Sequence, residues 1–213
     1  MGDRLRPLWN FDDLGATEAR LRAALEEETN DEGRAEVLTQ LARVEGLRDR
    51  FDEGDALLDR AEELAGSAPV VRIRVDLERG RLRRSSGEPE VSLPLFVAAF
   101  QGAMEAGEEF IAVDAAHMAA IAATDLPDRL AWAERGIDLA EQSEDDDVRY
   151  WLGSLYNNVG WDYFDAGEYE TALGWFERAL VERERRPDQP ERIAHAREAV
   201  EEARRMLDQR GES

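Results

Sequence analysis

Between Tyr150 and Arg186 the chain reads YWLGSLYNNVGWDYFDAGEYETALGWFERALVERERR, and few folds can accommodate such a stretch. Tyr156, Val159, Gly160 and Tyr163 recur at spacings of three and four, and so do Ala172, Phe176, Ala179 and Leu180. Each set is one stripe along an α-helix. Asp165-Ala166-Gly167-Glu168 interrupts the pattern, and Gly167 can take the positive φ that a tight turn between helices often needs. Gly160, Ala172 and Ala179 let two backbones approach, while Tyr156, Tyr163 and Phe176 fill the remaining space. The spacing therefore predicts a packed helix pair joined by a short turn.

Written as Tyr156-x2-Val159-Gly160-x2-Tyr163 and then Ala172-x3-Phe176, with the proline displaced to Pro187, the stretch resembles the tetratricopeptide repeat (TPR) family. That family's signature is W-x2-L-G-x2-Y, then A-x3-F, then P. The resemblance implies an all-α, right-handed α-solenoid in which the first helix of each repeat lines a concave groove.

Weaker copies of the pattern precede this repeat, at intervals a little above the ~34 residues typical of the family. Residues 35–68 carry Leu38, Leu41, Ala42 and Glu45, then Gly54, Leu58 and Ala61. Residues 73–106 carry Gly80, then Ser92, Phe96 and Ala99, with Pro94 expected in the first turn of the second helix. Residues 110–143 carry Val113, Ala116, His117 and Ala120, then Ala133, Gly136 and Ile137. Residues 153–186 complete a set of about four repeats.

A half-repeat helix over 12–29, capped by Asp12 or Asp13, is expected to begin the array, with Trp9 and Phe11 packed on it. An amphipathic helix over 190–210 would shield the last repeat. The acidic run 144–147 reads as a hydrated linker. The whole, 1–213, reads as a single domain.

Composition narrows the function. The net charge of −22 argues against nucleic acid and anionic membranes as partners. All the cations are Arg, with no Lys, a composition that fits a prokaryotic genome of high GC content or a salt-adapted one. Cys is absent, which removes disulfides and thiolate chemistry and fits a cytoplasmic protein. No leader-like or membrane-length apolar run is present.

Two His without Cys do not make a zinc site, and no phosphate-binding glycine loop occurs. Asp114 and His117 lie one turn apart but lack a nucleophile. No cofactor is therefore expected, and no enzymatic activity. Self-repulsion at this net charge predicts a thermal midpoint that rises with added NaCl. A midpoint that falls on a salt series would show that paired charges outweigh the repulsion.

In the family that the chain resembles, ligands lie along the first helices. The outward row on those helices is Glu36, Thr39, Gln40, Arg43 and Leu47; then Arg74, Leu77, Glu78, Arg81 and Ser85; then Ile111, Asp114, Ala115, Met118 and Ala122; then Ser154, Asn157, Asn158, Trp161 and Asp165. Six Arg between 72 and 84 stand against Asp76 and Glu78, an anion-binding pattern suited to carboxylate or phosphate.

The candidate binding residues are Arg43, Arg74, Arg81, Arg84, Asp114, Met118, Asn157, Asn158, Trp161 and Asp165. Together they describe a peptide or protein partner with an acidic end near Arg43, Arg81 and Arg84 and an apolar anchor near Trp161. Two other readings stay open: a small-molecule sensor with a pocket near His117, Asn157 and Trp161, and a self-associating module.

Overall fold

The computed structural model describes residues 3–211. The chain forms two compact units, residues 1–123 and 124–213. The boundary falls between the two helices expected to form the third repeat.

In the first unit a 3-10 turn, Arg6–Leu8, precedes six helices: α1 (Leu14–Glu27), α2 (Asp31–Gly46), α3 (Phe51–Ala65), α4 (Pro69–Ser85), α5 (Pro89–Ala106) and α6 (Glu109–Ala122). The second unit contains α7 (Leu126–Gln142), α8 (Asp146–Arg149), α9 (Leu152–Asp165), α10 (Tyr169–Glu184) and α11 (Pro190–Gly211). Helices adjacent in the chain pack in pairs: α2 on α3, α4 on α5, and α9 on α10, with α11 on α10.

Local chemistry sets the helix starts. Asp13 accepts from the Ala16 amide at 2.9 Å, Asn30 from Gly33 at 2.7 Å and Asp125 from Asp128 at 2.9 Å, each satisfying a donor the first turn leaves open. Pro69 and Pro89 open α4 and α5, where a missing N–H costs nothing. Pro94 lies inside α5, beyond the first turn where its place was expected. Gly107 and Gly167 end α5 and α9 with φ of 73° and 77°, a conformation that a Cβ disfavours.

The repeat signature works as a size match between paired helices. A Cβ on Gly160 would meet the Phe176 ring at 2.5 Å, and one on Gly80 would meet the Phe96 ring at 2.6 Å. Both rings are fully buried. Ala42 and Leu58 occupy the same relative positions in the first pair and are also fully buried, so Leu replaces the ring where Ala replaces Gly. Glu45, standing where Tyr163 stands in the best repeat, is buried and held by Arg50 at 2.6 Å.

The first core gathers Leu21, Val37, Leu41, Val44, Leu58, Val71, Val75 and Leu82. The second gathers Ala172, Phe176, Ala199, Val200 and Ala203 around Tyr163, Phe164, Leu173 and Leu180. Thus α11 covers the flank of α10.

The acidic run 144–147 is not only a linker. Asp145 accepts from the Asp147 amide at 2.8 Å and nucleates α8. That amide, ahead of the opposing cost of burial, holds the Asp145 carboxyl below its ordinary value. No helix among the described residues is long and apolar enough to cross a membrane.

Candidate functional site

Part of the predicted outward row of the first unit is drawn together by ion pairs among α2, α4 and α6, while Thr39, Leu77, Ile111 and Ala115 of that row are buried. Successive turns of α2 present Glu36, Gln40 and Arg43, and successive turns of α4 present Arg74, Glu78 and Arg81. Asp114 and Met118 come from α6. Residues 3–11 lie on this face.

Asp3 accepts from both terminal nitrogens of Arg74, at 3.1 and 2.7 Å, while Arg74 Nε approaches Glu36 at 3.2 Å. Arg4 pairs with Glu28 at 2.7 Å and Glu36 at 3.3 Å. The Trp9 indole N–H donates to Gln40 Oε1 at 2.9 Å. The Arg43 guanidinium stands 5.0 Å from the Trp9 ring and 5.3 Å from the Phe11 ring, in the range of cation–π attraction. Trp9 and Phe11 therefore reach Gln40 and Arg43 of α2, beyond the first helix on which their position in the chain placed them. From α1, Thr17 holds Asn10, accepting from its amide and donating to its carbonyl, both at 2.8 Å, and Arg20 donates to the Leu8 carbonyl at 3.5 Å.

Beneath them lies a buried ion cluster. Arg81 donates to Glu78 at 2.5 Å and also pairs with Asp114. Arg43 reaches Asp114 only at 4.0 Å. Burial pushes the Asp114 carboxyl up, but Arg81 and then Arg43 outweigh it and hold the carboxyl below its ordinary value. His117, half-buried one turn on, acts in the same direction. Burial, and then the like charge of Arg81, push the Arg43 guanidinium down. No such deficit exists at Arg74, where the Asp3 hydrogen bonds and charge outweigh burial. Arg43 is thus the cluster's least compensated cation.

Next to this cluster a cavity of about 230 Å³ is lined by Arg43, Gly46, Leu47, Arg81, Leu82, Arg84, Ser85 and Met118. Four of the predicted site residues meet here. Arg84, exposed at the mouth, pairs with no carboxylate among the described residues. Leu47 is 51% exposed. The cavity therefore offers guanidinium donors against an aliphatic and thioether wall, which suits a carboxylate beside an apolar side chain.

The Arg run in α4 is not one anion-binding patch, because spatial neighbours divide it. Arg79 is paired with Asp59 at 2.8 Å and Glu62 at 3.1 Å, and Arg83 with Asp55 at 2.7 Å, all carboxylates of α3. Arg72 donates to the Gly66 carbonyl at 2.8 Å. Arg74 and Arg81 are internally compensated, which leaves Arg84. Asp3, the partner of Arg74, was invisible as a site residue because nothing local connects the two. Glu36, Gln40 and Glu78 stood on the predicted row, and their polar character at core-adjacent positions was the available signal.

Asn157, Asn158, Trp161 and Asp165 lie on α9 in the second unit. Both Asn are half-buried and Asp165 is exposed. Trp161 is 38% exposed and packs edge-on against Phe164 and Phe176, with ring centroids 5.2 and 5.0 Å apart. The second unit has its own cavity, about 330 Å³, lined by Leu130, Glu134, Ile137, Asp138, Glu141, Val159, Tyr163, Trp175 and Arg178. Among the described residues no three His, Asp or Glu side chains gather in a way that could hold a metal ion.

No family model and no curated protein matches the sequence. Solved structures do share its fold. The apo form of the quorum sensor NprR from B. thuringiensis aligns with a TM-score of 0.63 and 16% identity over 96% of this chain, which spans 61% of the length of that one. BtubC from P. vanneervenii aligns with a TM-score of 0.65 and 14% identity, over 99% of this chain and 93% of the other. At such identities the likeness is one of fold: this chain is built, as they are, of TPR-like helical pairs.

Proposed function

We propose that the chain is a peptide- or protein-binding scaffold and not an enzyme, and that its first unit takes a partner segment along the shared face of α2, α4 and α6. In this reading a carboxylate of the partner meets Arg84 and Arg43. An adjoining aliphatic side chain rests on Leu47, Leu82 and Met118.

The observation that carries the reading is the cavity itself. It joins an unpaired exposed Arg84 and an under-compensated Arg43 to an apolar wall, whereas most cations of the first unit already have partners. A sealed apolar pocket would instead favour a small ligand; this one borders the face on which the side chains of residues 3–11 are already held. That a protein of the same fold is a quorum sensor supports ligand capture as the kind of task such a scaffold performs, although one fold hosts many functions. On α9, Trp161 with Asn157 and Asn158 supplies a separate apolar and amide surface for a partner.

The test uses a fluorescent-labelled peptide array in which each sequence ends in Leu, once as the free carboxylate and once as the amide. Arg84→Glu is expected to weaken the best carboxylate-ended peptide by about 10- to 100-fold, the range of a charge-assisted hydrogen bond of roughly 1.5–3 kcal/mol. Amidation should cost a similar factor in the unmodified protein and none in the variant. Identical anisotropy titrations for Arg84→Glu and the unmodified protein would remove the proposal.

A further inference from the structure

Residues 3–11 are held on the face of α2, α4 and α6 in the manner of a bound peptide. Among the described residues, the segment's one element of secondary structure is the three-residue turn at Arg6–Leu8. Its grip comes from side chains instead. The Asp3 and Arg74 side chains are 8% and 6% exposed where they meet. Leu5 is 2% exposed and belongs to the core of the first unit. Trp9 is fixed by Gln40, and stacks with Phe11 at a centroid distance of 4.9 Å. Arg43 serves two surfaces at once, the aromatic pair and the neighbouring cavity.

We propose that residues 3–11 are a tethered occupant of the partner site, and that the partner is a protein segment repeating their chemistry. It would present a carboxylate to Arg74, an aliphatic side chain to the slot of Leu5 and an aromatic ring to Gln40 and Arg43. The proposal rests on the reading that this face binds peptides, and it names the pattern recognised: acidic, then aliphatic two residues on, then aromatic four residues later. The two cations match that order, Arg74 ion-pairing with the acidic end and Arg43 standing over the aromatic rings at the other.

A tether holds its own segment at an effective concentration on the order of millimolar. An external segment must therefore outcompete it, and its apparent affinity falls by the fraction of time the site is vacant. A partner whose carboxylate also reaches the Arg43–Arg84 cavity gains a contact that the tethered segment lacks. It would draw Arg43 away from Trp9 and Phe11.

The probe is a fluorescein-labelled peptide with the sequence of residues 1–13. The host is the full chain carrying Asp3→Ala and Trp9→Ala, which removes two anchors of the segment while Arg74 keeps Glu36. Anisotropy is expected to show binding to this variant at least about tenfold tighter than to the unmodified chain, and Arg74→Ala in the same background should abolish it. Equal binding to both hosts, or to neither, would overturn the proposal.

Should the double variant fail to fold, a protease site placed after Asp12 gives a cleaved chain with an unaltered face. Exchange of the labelled peptide into the cleaved protein but not the intact one supports the proposal, and retention of the cleaved segment without exchange overturns it. Light scattering that shows a dimer dissolved by the peptide would make the occupant a second copy and overturn the partner assignment. The labelled peptide reads the tether and the Leu-ended peptides read the carboxylate pocket, so failure of the one and failure of the other are told apart.

Discussion

Phe176→Ala is expected to lower the stability of the second unit by roughly 3–5 kcal/mol, as removal of a fully buried ring does. The ring is 0% exposed and fills the gap left by Gly160, whose missing Cβ would lie 2.5 Å from it. Trp161 and Phe164 rest on it with centroids at 5.0 and 6.4 Å. The cavity has little means of closing, because the opposite wall is helical backbone at Gly160 rather than a movable side chain. Phe176→Leu should recover part of the loss. Chemical denaturation followed by tryptophan fluorescence reads the effect, and a midpoint within error of the unmodified chain would refute the assignment of Phe176 to the core. Gly160→Val should destabilise comparably for the converse reason, since the added carbons have no space.

Asp114→Ala is expected to be nearly as costly to the first unit, about 3–5 kcal/mol, because it strands buried cations. Arg81 would keep Glu78, and Arg43 would lose its nearest carboxylate. Removing Arg81 as well, as in Asp114→Leu with Arg81→Met, should not restore the stability, because buried Glu78 then loses its ion-pair partner.

The same cluster predicts an acid response. Arg81 and Arg43 hold the Asp114 carboxyl below the ordinary aspartate value of 3.8 against the effect of burial. A depressed folded pKa contributes stability that is complete above the unfolded value and lost as pH falls through the folded one. The first unit should therefore weaken below about pH 4. Asp162 in the second unit has the opposite sign: burial, helped by Asp165, raises its carboxyl despite Arg129. Its contribution grows as pH falls and is lost as pH rises through the raised value. Hydrogen exchange, which reads each unit separately, should show acid loosening α4 and α6 more than α9. Equal loosening in both units would refute this account.

The helices and their pairing were legible because the signal is local. Gly80 with Phe96 and Gly160 with Phe176 announce themselves through size at fixed spacing, and those pairs do meet. Asp13 and Asn30 mark helix starts by the hydrogen bonds that their short side chains can reach. Pro89 opens α5 as its place in the chain implied, but Pro94 five residues on falls inside the helix and not in that first turn. The acidic run before α9 looked like a solvated linker, yet one Asx cap at Asp145 was enough to turn it into helix.

The site was legible only as a row of positions. Repeat spacing put Arg43, Arg81 and Met118 in one row, the Arg cluster put Arg84 beside them, and all four line one cavity. Their charge state was not legible. A run of Arg in one helix radiates in all directions, so Arg79 and Arg83 meet carboxylates of α3 while Arg74 meets Asp3.

Periodicity, residue size and the positions of Gly, Pro and Asp determined which segments become helices and which helices pair, because these effects act within a few residues along the chain. Tertiary structure alone decided which cations stay uncompensated and that residues 3–11 lie on the first helices. Ion pairing depends on distance in space and on burial, and the residues that meet there are far apart in the chain.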